Sequence, residues 1–209
     1  ELERYFVFLR PLGLRLGYTV TGVGEETQIV IPAEYNGLPV TAIQGQYGTG
    51  AFARSAVTVV YIPDSIEVIG QNTFNNCAEL TSVLISAGST LYAIGNNAFS
   101  GCSSLQSFYL PAGVESIGNN AFNNCGDLEH FTVADGNTAY RAENGHLIEN
   151  ATNTLIRAGH NAIVPESVTL IAQAAFRRTD GIAELYIPVS VTSIGNYCIA
   201  DSSIETILY

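Results

Sequence analysis

Apolar positions along this chain recur in a fixed order rather than at a single helical or strand period. An Ile-Gly pair stands at Ile69-Gly70, Ile94-Gly95, Ile117-Gly118 and Ile194-Gly195, with Ile171-Ala172 as a variant, in steps of 25, 23, 54 and 23 residues. Four residues after the second member comes Phe74, Phe99, Phe122, Phe176 or Ile199. Three further on stand Cys77, Cys102, Cys125, Thr179 and Ser202. Apolar triplets follow: Leu80/Val83/Ile85, Leu105/Phe108/Leu110, Leu128/Phe131/Val133 and Ile182/Leu185/Ile187, with Val57/Val60/Ile62 before them and Ile204/Ile207/Tyr209 after. Proline follows a strand-like stretch at Pro32, Pro63, Pro111, Pro165 and Pro188. Self-similarity at this spacing marks an architecture of stacked repeats.

The elements follow from the spacing. The last two residues of each triplet sit two apart, which puts them on one face of a short strand. Proline ends that strand because it has no N–H for the ladder. The Ile-Gly pair turns the chain, and stretches such as Asn96-Asn97-Ala98-Phe99 bury an alanine and a phenylalanine. Such a unit cannot cover its own apolar flank, so neighbours must stack. About eight parallel rungs at the usual strand spacing predict a curved ladder roughly 35 to 40 Å long.

The run Leu105-Gln-Ser-Phe-Tyr-Leu-Pro-Ala-Gly-Val-Glu-Ser-Ile-Gly-Asn-Asn-Ala-Phe-Asn-Asn-Cys125 resembles the 23-residue unit of BspA-like leucine-rich repeats. Ile29-Val-Ile-Pro-Ala-Glu-Tyr-Asn-Gly-Leu-Pro-Val-Thr-Ala-Ile43 resembles that family's usual first repeat, and the likeness extends from Gln28 to Tyr209. The resemblance implies a β-rich repeat solenoid with short helical or turn segments. The solenoid so implied is a right-handed leucine-rich-repeat superhelix with its parallel β-ladder on the concave face. It also implies an extracellular or cell-surface, bacterial or protist setting, and roles in adhesion and in binding host or other partners.

One domain is expected over residues 1–209. Residues 1–27 form a small β cap, on the alternation in Tyr5 to Leu9 and Leu14 to Val20. Residues 28–128 are regular repeats, 129–161 an irregular repeat with a hairpin excursion around Asn144-Gly145, and 162–209 regular repeats again. Asn-Gly between alternating stretches is a hairpin signal. The last strand, at Leu208-Tyr209, shows no capping segment, so its edge invites self-association.

Composition narrows the function. Charged residues make up 13% of the chain, about half the usual share, and the net charge is −11. All eight basic residues are arginine. That balance disfavours nucleic acid and anionic membranes, which need clustered positive charge. No stretch is long and apolar enough for a membrane helix. Absence of lysine removes phosphate-loop and Schiff-base chemistry, and no zinc-type Cys or His spacing occurs. No cofactor and no catalytic residue is expected. His130, His146 and His160 read as ordinary strand and loop histidines rather than a metal trio. Cys77, Cys102 and Cys125 share one repeat position with Thr179 and Ser202, which points to small buried side chains rather than disulfides. Cys198 takes the buried alanine position.

The candidate binding surface is the outward residue between the two inward residues of each strand: Tyr61, Leu84, Tyr109, Thr132, Ile163, Tyr186 and Leu208. This column is apolar for an exposed one, and tyrosine suits recognition. Aromatic and β-branched residues also pair well on sheet faces for structural reasons. Its neighbour, Val59, Ser82, Ser107, His130, Glu184 and Thr206, is mostly small or polar. The expected function is a non-enzymatic module binding a protein or glycan, such as a host surface or matrix component. The alternatives are a structural spacer in a larger surface protein and an enzyme with an unrecognised site.

Overall fold

The computed structural model describes residues 7–11, 17–23, 26–45 and 49–209. The Tyr5-Phe6 and Leu14 to Leu16 parts of the expected terminal alternation lie outside these residues. The chain is a β-solenoid of about eight turns built from parallel strands, and no helix occurs among the described residues. The segments expected as helical or turn-like are turns.

Each rung contributes to two strand ladders and one stack of turns. The first ladder carries the apolar triplets. Gln28–Val30, Val59–Ile62 and Ser82–Ile85 pair in parallel, with Val30, Tyr61 and Leu84 in one register line. Ser107–Leu110 pairs with His130–Val133, and Glu184–Tyr186 with Thr206–Leu208. The second ladder carries the Ile-Gly pairs. Leu38–Ile43, Val68–Ile69, Ala93–Ile94 and Ser116–Ile117 pair in sequence, and Thr154–Arg157, Leu170–Ile171 and Ser193–Ile194 form a second run. At the N-terminal end, Val7–Pro11 lies antiparallel to Tyr18–Val23, which joins Leu38–Ile43 in parallel.

The Ile-Gly glycines let rungs approach. A Cβ on Gly95 would sit 2.5 Å from the Gln71 nitrogen, and one on Gly118 or Gly195 would sit 2.4 Å from the Asn96 or Gln173 nitrogen. The Asn pairs have a backbone reason. Asn72, Asn97 and Asn120, two residues past each glycine, have φ of +57°, +53° and +57°. Four residues later Asn76, Gly101 and Asn124 are again left-handed. Asparagine and glycine enter that region at the least cost.

Between the ladders lies the core. Phe52, Phe74, Phe99 and Phe122 stack rung on rung, with centroids 4.9, 5.1 and 5.4 Å apart and planes within 10°. Burying each ring contributes about 1.5–3 kcal/mol, and each ring pair adds about 0.5–1.5 kcal/mol. Beside them runs a sulfur ladder. The thiols of Cys77, Cys102 and Cys125 donate to the carbonyls of Phe52, Phe74 and Phe99 in the preceding rung, at 2.9, 3.2 and 3.2 Å. All four cysteines are buried and unbridged. Burial pushes every thiol above its ordinary pKa, Cys125 and Cys198 to about 11.

The period breaks after Val133. Tyr140–Glu143 and His146–Glu149 form an antiparallel hairpin around Asn144-Gly145, both with positive φ, and Thr154–Arg157 adds a third strand. These strands partition the interior. Leu147 packs with the N-terminal core and Ile148 and Leu155 with the C-terminal one, while Ile156 faces back toward the first. His146 closes the junction. Its Nδ1 accepts the Gly159 N–H at 3.1 Å, and its Nε2 lies 3.1 Å from the Ile163 carbonyl, to which it donates. Burial lowers its pKa to about 4, so the ring is neutral.

Candidate functional site

The candidate column is carried by the first ladder, where alternation leaves one residue outward between two inward ones. Val60 and Ile62 are buried on either side of Tyr61, and Phe108 and Leu110 on either side of Tyr109. Tyr61, Leu84, Thr132, Ile163, Tyr186 and Leu208 are exposed, while Tyr109 is half-buried. The structure arranges the seven in three runs. Tyr61 and Leu84 are register partners, as are Tyr109 and Thr132. Ile163 bridges to Tyr186, which pairs with Leu208.

Val30, 48% exposed, extends the column by one rung beyond the sequence reading. The signal was present, because Ile29-Val30-Ile31-Pro32 repeats the pattern of Val60-Tyr61-Ile62-Pro63. Val30, Tyr61, Leu84, Ile31, Ile62 and Ile85, with Pro63 and Ser86, line a shallow, largely apolar groove of about 340 Å³.

Between Thr132 and Ile163 the hairpin tip takes the place of a strand. The Phe131 N–H donates to the Gly145 carbonyl at 3.0 Å, and Asn144 Nδ2 reaches the Ile163 carbonyl at 3.5 Å. The sequence marked this hairpin without placing its tip on the ladder face.

The histidines do separate things. His130 is exposed on its strand, His146 is buried at the junction, and His160 Nε2 lies 2.7 Å from the Gly126 carbonyl. Among the described residues no group of three His, Cys, Asp or Glu side chains is placed to hold a metal ion. No helix among them is long and apolar enough to cross a membrane.

A second concavity lies on the turn side, where the stack of turns is interrupted. It measures about 320 Å³ and is lined by Gly118 to Asn123 on one wall and by Ile156, Arg157 and Ala172 to Ala174 on the other. Arg157 is 2% exposed. Its Nη1 donates to the carbonyls of Ala174, Ala175 and Arg177 at 3.3, 3.0 and 2.9 Å, and its Nη2 to that of Cys125 at 2.9 Å. Nothing in the sequence pattern singled out Arg157, but its neighbours carried traces of the interruption. Ala172 stands where other rungs have glycine, because no preceding turn crowds its Cβ. The buried Thr179 hydroxyl, in the cysteine column, has no partner where the thiols find a phenylalanine carbonyl.

Comparison with known proteins places the chain. The family model for the BspA type leucine rich repeat region matches six copies over residues 44–143 and 158–209, leaving out the hairpin tip, its second strand and the strand after it. No curated protein matches. Among solved structures, a leucine-rich repeat protein from Bacteroides capillosus is 30% identical, with a TM-score of 0.53, over 62% of this chain and 94% of that one. A leucine rich repeat protein of T. pallidum is 24% identical over 91% of this chain and 79% of its own, with a TM-score of 0.58. The pneumococcal vaccine antigen PcpA shares the fold at 18% identity and a TM-score of 0.53, covering 98% of this chain and 68% of that one. The chain belongs to the BspA-type leucine-rich-repeat family.

Proposed function

We propose that the chain is a non-enzymatic binding module of the bacterial cell surface, which holds a protein or glycan partner against the exposed column of its first strand ladder. The observation that carries this reading is the column itself. Large apolar side chains stand outward in register on a face whose inward positions already complete the core, and an apolar groove opens at the Val30–Tyr61–Leu84 end. Scattered exposed apolar residues need no explanation, but a contiguous apolar strip marks interaction surfaces. Tyrosine at two of the exposed positions supplies large contact area at low entropic cost. The surface setting is supported by the pneumococcal relative, which is described as a vaccine antigen.

The test is the combined variant Tyr61→Ala, Tyr109→Ala and Tyr186→Ala. Binding would be measured to arrays of glycans and immobilised extracellular matrix proteins, with circular dichroism as the check on fold. The expected result is loss of every interaction the parent chain makes, with unchanged secondary structure. Binding that survives the triple change would refute the column as the binding surface, and a parent chain that binds nothing would return the molecule to the spacer role.

A further inference from the structure

The interrupted turn stack leaves an electropositive cleft whose donors have nothing to donate to. In regular rungs the turn N–H groups point to the next rung. Those of Asn72, Phe74 and Asn76 donate to the carbonyls of Asn96, Ala98 and Ser100 at 2.9, 2.7 and 2.7 Å. Those of Asn97, Phe99 and Gly101 donate to Asn119, Ala121 and Asn123 at 3.0, 2.8 and 2.8 Å. The same positions one rung on are Asn120, Phe122 and Asn124, and their N–H groups meet no carbonyl among the described residues. The pattern resumes only past the gap, where Ala174, Phe176 and Arg178 donate to Asn196, Cys198 and Ala200.

Arg157 satisfies the far wall. Its Nη1 bonds the Arg177 carbonyl and shares the Ala175 carbonyl with the Ala158 N–H, at positions that the missing turn's N–H groups would have reached. It leaves the near wall unsatisfied and brings in a buried positive charge. No carboxylate pairs with that guanidinium, its Nε has no partner, and no Asp or Glu lines the cleft. A buried charge without a counter-ion is costly, and successive backbone N–H groups form an anion-binding concavity.

We infer that this cleft binds a small oxyanion, a carboxylate or a phosphate, held by the free N–H groups of Asn120 and Phe122 and balancing the charge of Arg157. The volume holds such an anion with accompanying water. The side-chain oxygen of Asn123, buried without a donor on the cleft wall, accepts from that water or from the hydroxyl of a hydrogen phosphate. The site lies on the turn side, apart from the strand-ladder column, and stands whether or not that column binds a partner.

The experiment is an amide NMR titration of the whole chain with sodium phosphate and, separately, sodium acetate, at ionic strength held constant with sodium chloride. Saturable shifts centred on the Asn120 and Phe122 amides support the inference. Saturation with phosphate alone identifies phosphate as the occupant, and saturation with both assigns the site to oxyanions in general. Gln173→Trp, at an exposed residue of the cleft wall, fills the space without touching the core. It should weaken the apparent affinity at least about tenfold. Arg157→Met should abolish saturation, with dispersion of the remaining amides as the check on fold. Absence of saturable shifts, or shifts that Gln173→Trp leaves unchanged, overturns the inference.

Discussion

Protonating His146 should loosen the junction between the two halves of the solenoid. The ring is fully buried, its Nδ1 accepts one backbone N–H, and its Nε2–H meets one carbonyl. It also stands edge-on to Phe176, with centroids 5.8 Å apart. A second proton on Nδ1 would abandon the Gly159 bond and place a charge in the core. The pKa therefore falls from 6.5 to about 4, chiefly through burial. Between those values the unfolded chain takes up a proton that the folded chain refuses. The contribution is accordingly complete above pH 6.5 and is lost progressively as pH falls toward 4. At about 1.36 kcal/mol for each pH unit separating the two pKa values, the loss by pH 4 is about 3 kcal/mol. Urea unfolding of the parent chain and of His146→Leu, at intervals from pH 7.5 to 4, isolates this residue, because every other titrating group is common to both. The difference between the two stabilities should shrink by that amount across the window. Parallel curves, or a His146 ring resonance that titrates near 6.5, would refute the reasoning.

The cysteine ladder should be chemically silent. With thiols raised to about 11 at Cys125 and Cys198, about 0.1% is thiolate at pH 8, so an aromatic disulfide reagent should label none in the native chain and all four in guanidinium. Labelling of the native chain on the reagent's mixing time would contradict this. Gly95→Ala puts a Cβ 2.5 Å from the Gln71 nitrogen and should cost about 1–3 kcal/mol in urea unfolding, whereas Ala172→Gly, beside the cleft, should cost at most about 1 kcal/mol. Equal costs for the two would show that rung approach is not what requires glycine. Tyr197, 70% exposed with φ of +56°, occupies the position where earlier rungs place asparagine. Tyr197→Asn should stabilise the chain by about 1 kcal/mol, seen as a higher melting temperature, and a lower one would refute the backbone argument.

The regular part of this fold is legible because each constraint repeats. Gly95, Gly118 and Gly195 answer one crowding problem, Asn72, Asn97 and Asn120 one left-handed turn, and Phe74, Phe99 and Phe122 one core column. Repetition turns each local rule into a period. The outward column follows from the same alternation, and Val30 escaped because its rung lacks the first apolar member of the triplet, with Glu26 where the next rungs have Val57 and Leu80. What happens once leaves no period. The Asn144-Gly145 tip entering the ladder and the Arg157 guanidinium replacing a turn both depend on where a single excursion folds back. Their sequence traces, Ala172 for glycine and Thr179 for cysteine, acquire meaning only once the missing turn is seen.

The divided interior also bears on how the molecule carries load. In a stacked array each unit holds only its neighbours, so strength along the axis is that of the weakest adjoining pair. The expected weak pair is the one joined by a hairpin, a histidine and an arginine, where the core divides and the stacked aromatic column stops. Pulled from its ends, the chain should part there first and lengthen in two stages rather than peel rung by rung, its front half still wound while the rear has run out.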